Sequence, residues 1–257
     1  MYLIISEVKK IFKFSIITTI ISNILFVIIC YMIQNQYALF YNMQLWSIGG
    51  EYLSLFYIII AVVPVCWIMV YERKNNYLAY VVPRISKLKY LLLKWLISAF
   101  SSALVMFIIS FTALLFILYI FPQVDIVLPL SENDISIRVY KGLLYVKYPL
   151  LYGFLLSAWR GILAFLFSTL GYVLSLFIKN LFIVLATPFL FGIIDSFVLG
   201  TLGYSQYEII TSFDPTRVKS EVISKYTFIF SALTIIILIV ILLVYYSLIK
   251  KEKIFEI

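Results

Sequence analysis

Histidine is absent from this chain, which removes most acid–base dyads, triads and zinc sites at once. The two cysteines, Cys30 and Cys66, both fall inside apolar runs, where neither a disulfide framework nor a metal site is expected. No stretch resembles a glycine loop that cradles phosphate, so the chain does not bind and hydrolyse ATP by that route. An aspartyl protease needs two facing acids, and Asp195 is the single acid of its apolar run. Enzyme readings are weak by this elimination. What remains is a pair of charges set in apolar runs, Arg160 and Asp195, and one dense basic stretch, 71–95 (YERKNNYLAYVVPRISKLKYLLLKW). That stretch carries Arg73, Lys74, Arg84, Lys87, Lys89 and Lys94 against a single acid, Glu72. Charges of this kind suit docking and anchoring, not bond-breaking.

The elements that must position these residues are apolar. Of 257 residues 64% are hydrophobic and the mean hydropathy is +1.09, far outside the soluble range of about 45–50% apolar. No polar stretch is long enough for a soluble domain. The net charge of +8 gathers at the ends of apolar runs and makes no continuous stripe, so it reports topology and no nucleic-acid partner. The chain reads as a single all-α integral membrane domain of six spans, at about 15–33, 52–70, 96–121, 161–178, 181–199 and 227–249, each near the ~20 residues a bilayer needs. An amphipathic helix over 1–14 precedes them on the inner surface.

Thirteen of the twenty basic residues fall at the amino end, in 71–95, at Lys179 and at the carboxyl end. The positive-inside rule therefore puts those segments and both termini in the cytoplasm, in agreement with an even number of spans. The outer loops are 34–51, 122–160 and 200–226. Within 71–95, Ile85, Leu88, Leu92 and Trp95 recur at helical spacing while Lys87 and Lys94 lie on another face, which predicts a helix along the inner membrane surface. Taken alone, such a helix would anchor the loop to lipid head groups. The alternation over 136–140 predicts a short extended piece. Asp214 followed by Pro215 predicts a capped helix running through Val222.

Depth decides what the two isolated charges cost. Counting from Lys179 and Asn180 at ~1.5 Å per residue puts Arg160 about 28 Å up and Asp195 about 22 Å up, near the outer edge of a ~30 Å core. A helix lying at the outer interface is expected to end at Trp159, ahead of the fourth span. Two readings stay open: Arg160 and Asp195 pair with each other, or each reaches the outer water.

The basic stretch resembles the cytoplasmic loop between the second and third spans of ABC transporter type-2 permeases. The matching residues are the acidic–basic pair Glu72-Arg73, the turn at Asn76, the apolar stretch 78–82, Pro83, Ser86-Lys87, Tyr90 and Lys94. Asn76 stands where the family usually has glycine, and Asn is the next most tolerant residue of a left-handed backbone. The resemblance covers the six-span layout, with residue matches confined to the loop. It implies a coupling helix in that loop, with Glu72, Arg73, Asn76, Pro83, Ser86, Lys87 and Lys94 as the coupling residues. It also implies a dimer with a second permease subunit, homo- or heteromeric, and cytosolic ATPase subunits that bind ATP, this chain holding no cofactor of its own.

The implied function is that of a multi-pass permease subunit in a bacterial plasma membrane, exporting an amphipathic peptide or lipid-like substrate. Small members of this family export peptides or protect against antimicrobial peptides. The competing class is a membrane scaffold or sensor that recruits another cytosolic partner through the same basic loop.

Overall fold

The computed structural model describes residues 2–34, 36–37, 39, 42–75, 77, 81, 85–121 and 138–245. Among these the secondary structure is helical, with no strand. Five helices are long and apolar enough to cross a membrane, or six spans if one bent pair counts as a single crossing. The protein is thus a membrane-embedded helical bundle.

Helix α1 runs from Tyr2 to Ile33 without a break, so the separate surface helix expected over 1–14 is the amino-terminal end of the first long helix. Nothing between Lys13 and Ser15 stops it: there is no Gly, no Pro and no cap. Its buried positions Glu7 and Ile11, then Ser22, Phe26, Cys30 and Ile33, keep three-to-four spacing and define one inward face. Ile16, Ile17, Ile20, Ile21, Ile24 and Ile28 are exposed, as an apolar face toward lipid would be.

The segment 34–51, expected to be a polar outer loop, holds most of helix α2, Asn42–Ser54. It buries Met43, Leu45, Trp46, Gly49 and Gly50. A Cβ on Gly49 would stand 2.7 Å from Cys30 Sγ, so glycine here permits the close approach to α1. Helix α3, Tyr57–Lys74, follows at 58° to α2. Helix α4, Lys87–Tyr119, is continuous for 33 residues, about 50 Å at ~1.5 Å per residue. Residues 87–95, expected as a helix on the inner surface, are therefore the first turns of α4, and the face differs from the expected one: Lys94 is buried while Leu88 and Leu92 are exposed. The apolar stretch 78–80, Asn76 and Pro83 lie outside the described residues.

After α4, residues 122–137 are outside the described residues, as is the start of the extended piece expected over 136–140. A short helix α5, Gly142–Lys147, leads into α6, Pro149–Phe177, with proline in its first turn where the missing N–H costs nothing. The expected interfacial helix ending at Trp159 and the fourth span are one helix, and Arg160 sits inside it. Helix α6 is the centre of the bundle, packed against α3, α4, α7 and α9. Asn180 starts α7, Leu181–Thr201, by accepting from the Phe182 N–H at 3.0 Å. Helix α7 buries Val184, Pro188 and Gly192, a four-residue period that turns one narrow face inward.

The chain then forms a 3-10 turn at Ser205–Tyr207, helix α8 at Ile209–Phe213 and a 3-10 turn at Pro215–Arg217. Asp214 does cap the last of these, accepting from the Thr216 N–H at 3.2 Å, but the helix expected through Val222 is that single turn. Helix α9, Lys225–Val244, begins at a capping box of Ser224 and Thr227. Residues 246–257, with the terminal lysines Lys250, Lys251 and Lys253, are outside the described residues.

Candidate functional site

Among the described residues two buried polar centres interrupt this apolar bundle, one at each end. The first lies at the end where α3 finishes and α4 begins. Lys10 Nζ on α1 meets Glu7 Oε1 at 2.6 Å and Glu72 Oε1 of α3 at 3.1 Å. Lys94 Nζ on α4 meets Glu7 Oε2 at 3.3 Å and also pairs with Glu72 Oε2. Each lysine touches both carboxylates, so the four side chains form a closed ring of alternating charge across three helices. Tyr90 donates its hydroxyl to Glu72 Oε2 at 3.0 Å. Glu7, Glu72 and Lys94 are 4%, 8% and 5% exposed, and Lys10 is 38% exposed; the ring is therefore buried except at one corner. Buried charges are tolerated when each is paired and hydrogen-bonded, and this ring meets that condition with no net charge.

Neighbouring contacts extend the clamp to α6. Arg73 Nη1 donates to the Ser175 carbonyl at 2.7 Å, in the last turn of α6, where carbonyls lack helical partners and a cation is favoured. The Tyr172 hydroxyl donates to the Leu91 carbonyl at 2.8 Å, and Trp95 Nε1 donates to Thr169 Oγ1 at 3.0 Å. Four helices are tied together within one or two turns of the 75–86 connection.

Of the residues nominated for coupling, Glu72, Arg73 and Lys94 come together here. Lys87 occupies the first turn of α4, half-buried, and Ser86 sits at its N-cap, exposed and without a side-chain cap bond. Asn76 and Pro83 lie outside the described residues. Sequence reasoning missed Glu7 and Lys10 as members of the ring. The signal was present: they are an acid and a base three residues apart, on the face that also carries Ile11.

The second centre is Arg160, fully buried on α6. Its Nε donates to the Phe213 carbonyl at 2.8 Å, Nη1 to Ser110 Oγ at 2.8 Å, and Nη2 to Asp214 Oδ2 at 3.4 Å. The guanidinium lies 4.7 Å from the Trp46 ring centroid and 5.1 Å from that of Tyr57, within cation–π range. Ser110 also accepts from Ser157 at 2.8 Å, and its carbonyl accepts from Trp46 Nε1 at 3.2 Å. Burial raises the Asp214 carboxyl above its ordinary value, and the Arg160 charge pulls it back.

The pairing of Arg160 with Asp195 is not formed. Asp195 Oδ2 instead accepts from the Ile209 N–H at 2.8 Å, at the start of α8, where an acid satisfies an orphan amide and meets the positive end of the helix. Nor does Arg160 reach water. Asp214, read from sequence only as a cap, fills both roles: Oδ1 caps Thr216 while Oδ2 faces Arg160.

Comparison of the chain with family models, curated proteins and solved structures found no match.

Proposed function

We propose that this chain is the transmembrane permease subunit of an ATP-binding cassette exporter, moving an amphipathic peptide or lipid-like substrate with energy from a separate cytosolic ATPase. The carrying observation is the charge ring of Glu7, Lys10, Glu72 and Lys94. A coupling loop must pass a push to several spans at once, and a loop hung on freely sliding helices would only deform. Here the connection 75–86 leaves from Glu72-Arg73 and returns toward Lys94, and both sides are locked to α1 and α6 by charge-assisted hydrogen bonds. A force on the loop then moves α1, α3, α4 and the end of α6 as a unit.

The remaining features agree with that mechanism. The positive-inside rule assigns the ring's end, the amino terminus and the carboxyl terminus to the cytoplasm of a bacterial plasma membrane, with the bent α2–α3 pair as one of six spans. Helices α7 and α9 bury little of their apolar windows, 17% and 22%, which leaves surface for lipid and for a second permease subunit, of the same or a different sequence.

Mild-detergent purification of the tagged full-length chain tests the reading directly. An ATPase subunit should accompany it, and in nanodiscs Pro83→Ala and Arg73→Gln should lower the activity of that subunit while the complex stays intact. A cysteine introduced at Lys74 should resist a membrane-impermeant thiol reagent in intact cells and react in opened ones. Labelling from outside, or a partner without ATPase activity, overturns the proposal; the latter result would favour a scaffold that uses the same loop.

A further inference from the structure

A cavity of about 390 Å³ opens between the last turns of α2 and the 209–217 segment, at the end opposite the charge ring. Its volume lies within the ~300–1,000 Å³ of small-molecule sites. Glu51, Arg217, Tyr37 and Tyr52 supply its polar wall, and Ile48 and Leu55 its apolar one. The wall is not neutral. Arg217 is shared between Glu208, whose Oε2 lies 3.4 Å from Nη1, and Glu51, whose Oε1 lies 3.9 Å from Nε. The first contact is of hydrogen-bond length and the second is too long for one. Asp214 is matched by Arg160, so one negative charge is left over, and Glu51 holds it with 45% of its side chain exposed.

Beside this carboxylate the hydroxyls of Tyr37 and Tyr52 bond to each other at 2.7 Å. That bond fixes two exposed aromatic rings at the cavity mouth. A carboxylate short of a close partner, two tyrosine rings and an apolar wall together match the needs of an organic cation.

We propose that this cavity binds a primary or quaternary ammonium group carried on a small apolar body. Glu51 is the counter-ion, the rings of Tyr37 and Tyr52 face the cation, and Ile48 and Leu55 meet the apolar part. Arg217 competes with the ligand for Glu51, and its attachment to Glu208 keeps it from filling that place. An anion is disfavoured, because the cation it would need is already engaged and Glu51 would repel it. The inference does not rest on the transporter reading, since binding here asks for no ATPase.

Equilibrium dialysis of phenethylammonium against the full-length chain in zwitterionic-lipid nanodiscs tests it, with 2-phenylethanol and 3-phenylpropionate as neutral and anionic comparators. Binding should saturate at one cation per chain and exceed that of the alcohol by about tenfold; Glu51→Gln should abolish this preference. Arg217→Gln should tighten binding by about threefold or more, a gain that a misfolded chain cannot give. Equal binding by wild type and Glu51→Gln, preference for the carboxylate, or weaker binding by Arg217→Gln would each overturn the proposal.

Discussion

Replacing Arg160 with glutamine should destabilise the fold by about 3–5 kcal/mol, the usual cost of removing one partner from a buried ion pair. The structure argues for the full range. Arg160 and Asp214 are both fully buried, so water cannot solvate the carboxylate that is left behind. The same change deletes two 2.8 Å bonds from a charged donor, to Ser110 and to the Phe213 carbonyl, and the contacts with two aromatic rings. Asp214→Asn should cost little at neutral pH, because burial holds the Asp214 carboxyl above its ordinary value so that a neutral group suits the site, and Oδ1 keeps its bonds to Thr216. Since Arg160→Gln strands the Asp214 charge, the double variant should cost less than the sum by about 1–3 kcal/mol. Arg160→Lys should lie between wild type and Arg160→Gln, keeping the charge but losing the planar fork and the stacking. The assay is unfolding of the full chain in mild detergent at neutral pH, followed by circular dichroism, with Asp195→Asn as the reference. Asp195 bonds to the Ile209 N–H and should couple to Arg160 by less than about 0.5 kcal/mol. Additivity of Arg160→Gln with Asp214→Asn, or strong coupling to Asp195, would refute the assignment.

Asp214 also sets a pH dependence. Burial raises its folded-state value, so its stabilising contribution is fully present below the ordinary 3.8 and is lost as pH rises through the raised value. Asp214→Asn should remove that decline from melting temperatures measured across the acid range. In the charge ring, Lys94→Met should cost about 3–5 kcal/mol by leaving two buried carboxylates to one lysine. Lys10→Met leaves the same two carboxylates to Lys94 but opens the exposed corner to water, and should cost less than Lys94→Met in the same unfolding assay. Gly50→Ala would set a Cβ 2.8 Å from Asp214 Oδ2 and 2.9 Å from Arg160 Nη2, and should lower stability by about 1–3 kcal/mol through overpacking. Ser224→Ala should cost about 0.5–2 kcal/mol by opening the cap of α9, readable as a lower melting temperature.

The membrane class and the helical character were legible because apolar runs of span length have no other stable form in a bilayer. Helix ends were less so. The three merged elements, 1–14 with the first span, 87–95 with the third and 150–159 with the fourth, share one cause. Charged residues in a sequence suggest where a helix leaves the membrane, yet Lys13, Lys94 and Arg160 interrupt the polarity and not the backbone. A helix stops for want of hydrogen bonds or for Gly and Pro chemistry, and none of these residues supplies that. Helix α2 was hidden for the opposite reason: Asn42, Gln44 and Gly49-Gly50 look like loop, but the glycines admit neighbouring side chains where a Cβ would clash.

The misplaced partner of Arg160 shows what counting along spans leaves out. Rise per residue gives the height of a side chain and says nothing of its direction around the helix. At the level of Arg160, α6 faces α2, α3 and α4, as its contacts with Trp46, Tyr57 and Ser110 require. Helix α7 turns Gly192 toward Ile58 of α3, and one turn later Asp195 is spent on α8. Two charges at one height on adjacent helices can therefore face different neighbours. The ring at the other end follows the same rule, for Glu72 and Lys94 flank one connection and still need Glu7 and Lys10 from the far end of the sequence to close. In both centres the residue that completes the charge balance comes from outside the apolar runs. A buried charge inside a span is thus a demand for a partner, and the direction of its helix face, more than its depth, tells which segment must supply one.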